Sequence, residues 1–285
     1  MKKKKVKTGD YVARESHGKD ILFNVEKIIK LSNGKENAIL KGVTYRIKAD
    51  SPIEDLCIID KKEVTKILEK FDFRIWEMAK KIKLEDQNNS SKRNKIQAKP
   101  GLILHLDGDR KYSQKSLTYY KNLGLRAIVK NIPENKQSKV VYRLLEYYNP
   151  DILVITGHDG MIKLQTGYND LYNYRNSKHF IETIKQARKY DEKNKKDLVI
   201  FAGACQSYFE ALISAGANFA SSPARILIEF LDPLIVAKNV ATTDMYKYVS
   251  IDDIAHELRD GKKGVGGFGA YGKKSIIIIW WMFVI

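Results

Sequence analysis

The stretch Leu198-Val-Ile-Phe-Ala-Gly-Ala-Cys-Gln-Ser207 decides how the rest of the chain is read. An apolar run, bounded by Lys196-Asp197 and by Gly203, ends in one of only two cysteines in the sequence. A run without polar alternation marks a strand buried on both faces, as the inner strands of a parallel sheet are. Cys205 then sits at the strand's carboxyl end, where open α/β sheets carry their chemistry. Asp151-Ile-Leu-Val-Ile-Thr-Gly-His-Asp-Gly160 has the same grammar and empties into His158. Two neighbouring strands delivering a His and a Cys to one edge is the arrangement a thiol nucleophile needs.

Outward from these strands, β and α patterns alternate. The sequence predicts a strand over 102–106 ending in the polar turn Asp107-Gly-Asp-Arg110, and a helix over 113–123 stopped by Gly124. It predicts a strand over 126–130, a helix over 139–148 closed by Pro150, and helices over 178–190 and 208–215 on either side of the cysteine strand. Residues 218–220 and 236–242 read as further strands. Alternation at these lengths argues for parallel βαβ units wound right-handed into a three-layer α/β/α sandwich with a mostly parallel sheet.

The first 60 residues read differently. Short β-rich segments at 11–13, 21–29, 38–40 and 43–47 are punctuated by Gly9-Asp10, His17-Gly18, Asn33-Gly34 and Lys41-Gly42, which suggests a small SH3-like barrel. Cys57 reads as a small core residue. Val64, Ile67, Leu68, Phe71, Ile75, Met78, Ala79 and Ile82 recur at helical spacing over 62–84. The polar stretch 85–94 reads as a linker. The organisation expected is therefore a β-barrel over 1–60, a helix and linker over 61–98 and a catalytic domain over 99–262. A glycine-rich and apolar tail without an assigned role then covers 263–285.

Two distant cysteines exclude a disulfide framework and fit a reducing, cytoplasmic compartment. The basic N-terminus has no apolar run behind it, so it is not a signal peptide. No segment reaches the roughly 18 apolar residues needed to span a bilayer. The net charge of +17 leaves open a solvated lysine-rich surface or attraction to an acidic partner. Hence an alternative reading is a non-catalytic basic protein docking on nucleic acid or an acidic assembly. No basic-aromatic ladder dense enough for nucleic acid is visible.

A free cysteine is ordinarily a packed small hydrophobe, and a loop histidine is ordinarily satisfied by a neighbour. The joint placement of Cys205 and His158, beside Gly157, Gly160, Gly203 and Ala204, points instead to a nucleophile and its acid/base. A helix opening near Gln206 would stabilise the thiolate. His105 reads as core. No Cys, His and carboxylate cluster has metal spacing, and the glycines of 264–269 follow no strand and open no helix. No metal or cofactor is expected.

Ala204-Cys205-Gln206, with a histidine about 50 positions upstream, resembles the caspase signature. It is shared in outline by clostripain-like peptidases. Taken with Gly9-Asp-Tyr-Val-Ala-Arg14, Leu104-His-Leu-Asp-Gly-Asp109, Thr156-Gly-His-Asp-Gly160 and Phe201-Ala-Gly-Ala-Cys-Gln-Ser207, the chain resembles the YabG family of sporulation-specific proteases over about residues 8 to 260. The resemblance implies a caspase-like fold and a cysteine endopeptidase cutting after Arg or Lys. It implies spore coat and cortex-related proteins as substrates, in a sporulating cell and then at the spore or its coat. Cys205 would be nucleophile and His158 acid/base. The oxyanion would be held by the Cys205 N–H and that of Asp159 or Gly160. A basic substrate side chain calls for a carboxylate; Asp107 and Asp109 are the candidates, with Asp159 a third. Self-processing is left open.

Overall fold

The computed structural model describes residues 5–90, 98–162 and 167–276. Strands β1 (Tyr11–Arg14), β2 (Phe23–Lys30), β3 (Glu36–Gly42), β4 (Lys48–Pro52) and β5 (Leu56–Ile58) make an antiparallel sheet ordered β4-β3-β2-β1-β5. Val12, Phe23, Val25, Ala38 and Leu40 bury one common core in it. At the β2–β3 hairpin Gly34 takes φ of 79°, and the Asn33 side chain accepts the Lys35 N–H. The chain then enters α1 (Lys61–Ser90), whose Phe71 and Ile82 pack against the larger part of the molecule.

After β6 (Ala98–Lys99), strands and helices alternate: β7 (Ile103–Asp107), α2 (Arg110–Asn122), β8 (Ala127–Asn131), α3 (Glu134–Tyr148), β9 (Ile152–Thr156), α4 (Ser177–Asn194), β10 (Val199–Ala202), α5 (Phe209–Ser214) and β11 (Phe219–Ser221). Then come α6 (Asp232–Thr242), β12 (Tyr248–Val249), α7 (Ile251–Ile254), β13 (Val265–Gly267), β14 (Ala270–Tyr271) and β15 (Ser275–Ile276). The central sheet is ordered β13-β11-β10-β9-β7-β8, parallel throughout except for β13 at its edge. The two-residue alternation of each strand feeds two cores. Ile103, Ile152, Val154, Val199 and Phe201 pack against α1, α2 and α6 on one face. Leu104, Leu106, Leu153, Ile155 and Ile200 pack against α3, α4 and α5 on the other. The molecule is thus an α/β protein with a mixed, mostly parallel sheet between helical layers. Among the described residues no helix is long and apolar enough to cross a membrane.

Four local expectations are corrected. Residues 236–242 lie in helix α6 rather than a strand, because an element buried on nearly every side, Lys238 included, shows no period by which strand and helix differ. Residues 85–90 continue α1, since nothing there breaks a helix: the stretch has no glycine or proline. Positions 43–47 are a loop, not a strand: the Val43 N–H still donates to Leu22, but the Arg46 carbonyl accepts from the Asp159 and Cys205 N–H groups, so the segment crosses to the α/β layer instead of continuing a strand of the first sheet. The helix after Cys205 opens at Phe209, not near Gln206. The rest of the polar stretch, 91–94, and the apolar tail from 277 lie outside the described residues, while part of the glycine-rich stretch supplies β13.

Candidate active site

Parallel strands β9 and β10 are neighbours, paired from Ile152↔Val199 to Ile155↔Ala202. Their carboxyl ends therefore bring the loops bearing His158 and Cys205 together, and β7 on the other side of β9 delivers Asp107 to the same edge. Gly203, at φ of 114°, makes the turn out of β10 beneath Ser221. All of His158, Cys205, Asp107 and Asp159 are fully buried.

His158 Nε2 faces the Gly42 carbonyl at 3.1 Å, which sets the proton on Nε2. Nδ1 is buried and has no partner. Its lone pair is thus the free one. Burial, reinforced by the Lys41 charge, pushes the imidazole pKa down to about 3. The Cys205 sulfur lies against the Ile228 backbone, 3.4 Å from its nitrogen and 3.8 Å from its oxygen. Burial pushes the thiol up to about 12, against weaker help from the Ile228 and Arg46 backbone. The expected thiolate at a helix N-terminus is therefore absent: α5 begins four residues on, and the site holds a neutral thiol and a neutral imidazole.

Asp159 is a junction rather than a pocket floor. Its carboxylate accepts from the Gly160 and Asn176 N–H groups and from the Ser177 and Ser207 hydroxyls. Ser207 Oγ in turn accepts the Ala204 N–H, so the carboxylate ties the histidine loop to the cysteine loop. Burial raises its pKa to about 6 despite these bonds. The Gly160 N–H is consumed by this junction, while the Asp159 N–H points elsewhere. Asp109 caps α2 through the Lys111 and Tyr112 N–H groups and pairs with Lys41 at 2.7 Å. Burial disfavours its charge, but His158 and Lys41 outweigh that and hold it at about 2. Asp107 accepts from Thr156 Oγ1 at 2.9 Å and from the Asp109 N–H at 2.7 Å. His105, read as core, bonds Thr156 and Tyr120.

The residue that sequence reasoning missed is Arg46. The loop of residues 43–47 between β3 and β4 runs across this edge. The Cys205 N–H and the Asp159 N–H both donate to the Arg46 carbonyl oxygen, at 3.3 and 3.1 Å. The Arg46 guanidinium is buried on Asp107 at 2.5 Å, over the ring of Tyr112 at 4.4 Å and that of Phe230 at 5.5 Å. Nothing in the order Val43-Thr-Tyr-Arg-Ile47 signals this; only docking of the first sheet on the second brings it about.

A family model described as YabG peptidase U57 matches residues 7–277. The chain is 39% identical over 277 residues to the sporulation-specific protease YabG of Bacillus subtilis (strain 168), covering 93% of this chain and 94% of that protein. No solved structure matches the chain. A family match and a relative of this extent both span the two sheets and the edge that carries Cys205, and the chain belongs to the YabG family of sporulation peptidases.

Proposed function

We propose that the peptidase acts through Cys205 and His158, cutting proteins after arginine or lysine. The observation that carries this reading is the convergence of two backbone N–H groups, one from Cys205 and one from Asp159, on a single carbonyl oxygen. Such a pair is what an acyl-transfer site needs to hold the charge that develops on a scissile carbonyl, and each donor is worth roughly 3–4 kcal/mol of barrier. Cys205 supplies both a donor and the sulfur, so attack and oxyanion capture are built on one residue. His158 holds Nε2–H on Gly42 and keeps Nδ1 open. Nδ1 takes the thiol proton and returns it to the leaving amine. Neither group is ionised in the closed state, so the proton moves as the thiol attacks and no standing thiolate is required.

Asp107 is the candidate floor for a basic side chain, since this buried carboxylate holds the Arg46 guanidinium, which lies over the rings of Tyr112 and Phe230. Asp109 borders it as the Lys41 partner. The adjacency of the His and Cys strands supports a caspase-like arrangement, and the five-stranded antiparallel unit over 11–58 supports an SH3-like barrel. Spore coat and cortex-related proteins of a sporulating cell are the proposed substrates, with final residence at the spore or its coat.

Digestion of a mixed peptide library under reducing conditions, read by mass spectrometry, tests the assignment. Cuts after Arg or Lys should disappear in Cys205→Ala, by at least about 1,000-fold, while its melting temperature stays close to wild type. Equal cutting by both proteins would sink it.

A further inference from the structure

We propose that Arg46–Ile47 is the chain's own cleavage site, the intact molecule being a latent form that Cys205 opens in cis. The inference rests on the peptidase reading above. Three independent features place residues 46–48 as a substrate would lie. The Arg46 carbonyl oxygen occupies the convergence of the Cys205 and Asp159 N–H groups. The Arg46 side chain fills the Asp107 pocket. Beyond the bond, the chain pairs as a short parallel strand with the histidine loop: Ile47 bridges Asp159, and the Lys48 N–H donates to the Asp159 carbonyl at 2.6 Å. Gly160 admits this approach, because a Cβ there would stand 2.1 Å from the Lys48 oxygen.

Arg46 is poorly explained as a structural strut. Its Nε and Nη2 are buried without partners, and each such orphan costs about 1–3 kcal/mol. An apolar side chain would fill the space without that cost. A strut would also have no reason to present its carbonyl to the N–H of the one buried cysteine.

The chemistry closes on groups already present, plus water. The Cys205 sulfur bonds to the Arg46 carbonyl carbon, and the carbonyl electrons shift to oxygen between the two N–H donors. Collapse breaks the C–N bond to Ile47, whose nitrogen takes the thiol proton by way of His158 Nδ1. Water then cleaves the thioester, restores the thiol and leaves Arg46 with a carboxyl group. The products are 1–46 and 47–285. Departure of Arg46 opens the Asp107 pocket to other chains.

The test follows purified full-length protein under reducing conditions by intact mass and N-terminal sequencing. Wild type is expected to yield a new N-terminus at Ile47 with a rate constant unchanged over a 100-fold concentration range, because the bond is already seated. Cys205→Ala should stay whole, and Arg46→Gln should be cut at least about 100-fold more slowly. Since Arg46→Gln strips Asp107 of its partner and can unfold the chain, Ile47→Pro serves as a second variant that keeps the arginine and is expected to stay folded and uncut. A wild-type chain that cleaves an added arginyl peptide yet stays whole at Arg46 overturns this inference alone. So does a cut elsewhere, a rate proportional to concentration, or undiminished cutting in Ile47→Pro. A wild type that neither cuts itself nor any peptide, and whose Cys205 resists an arginyl acylating probe, overturns the peptidase assignment with it.

Discussion

Asp107 carries two loads that its neighbours separate. It is ion-paired with a fully buried arginine, and it accepts from Thr156 Oγ1 and the Asp109 N–H. Breaking a buried pair by neutralising one partner costs about 3–5 kcal/mol, because the other charge stays buried. Asp107→Asn in the Cys205→Ala background should therefore lower stability by that amount in denaturant titration; a loss under about 1 kcal/mol would show that Arg46 is not held by this contact. His158 makes a prediction with a sign. Its pKa falls from 6.5 to about 3 on burial, so its contribution to stability is complete above about pH 6.5 and is lost as pH falls through about 3. Cys205 moves the other way, from 9.0 to about 12, and contributes below about pH 9 until pH rises through 12. At pH 5 the histidine alone should cost about 2 kcal/mol. Between pH 7 and 5 the change in stability of Cys205→Ala should become more favourable by about 2 kcal/mol when His158→Gln is added, as read by denaturant titration at the two pH values. The comparison is made by difference because Asp159, raised to about 6, and Asp232, raised to about 7, gain stability over the same interval and oppose the histidine. An identical pH slope in the two proteins would refute a buried neutral imidazole.

Elements matter here chiefly through what their ends hold. The loop after β9 is tied to the loop after β10 through the Asp159 carboxylate, which accepts from the Ser207 hydroxyl, and through the Met161 N–H, which donates to Gln206 Oε1. Ser207→Ala removes one donor and frees the Ala204 N–H, which should cost about 1–2 kcal/mol. Because it also loosens the donor pair, peptide cleavage should fall more steeply than stability; unchanged kcat would mean the junction is dispensable. Gly160→Ala tests the docking of residues 46–48. The added Cβ would meet the Lys48 carbonyl, so that segment must withdraw. Limited proteolysis should then find new cuts between 43 and 48, and a protection pattern like wild type would contradict the close approach. At this scale the strands were legible and some helices were not. The runs 152–155 and 199–202 announce buried parallel strands because every residue is apolar, whereas α6 is buried over nearly all its surface, polar Lys238 included, and no amphipathic period marks it as a helix.

For the whole molecule, the two sheets share a fate. Cleavage after Arg46 would separate β1 to β3 from β4 and β5, yet β3 pairs with β4 from Asn37 to Lys41 and β1 pairs with β5. Gel filtration of the cut protein should return one species containing both fragments, resolved only in denaturant; early release of 1–46 would show that sheet pairing does not hold it. The net charge of +17 bears at this scale on solubility and encounter rather than on fold. Membership of a peptidase family displaces the reading of the chain as a purely binding protein. From the order of residues alone one could derive the parallel sheet, the adjacency of the strands bearing His158 and Cys205, and the acid at the end of β7. All three follow from local apolar runs and the rule that parallel strands end at one edge. Tertiary structure decided which N–H groups converge, that Asp159 is a junction, and that Arg46 lies in the site. Those depend on a loop of the first sheet landing on the second, a contact between distant segments that no local pattern encodes.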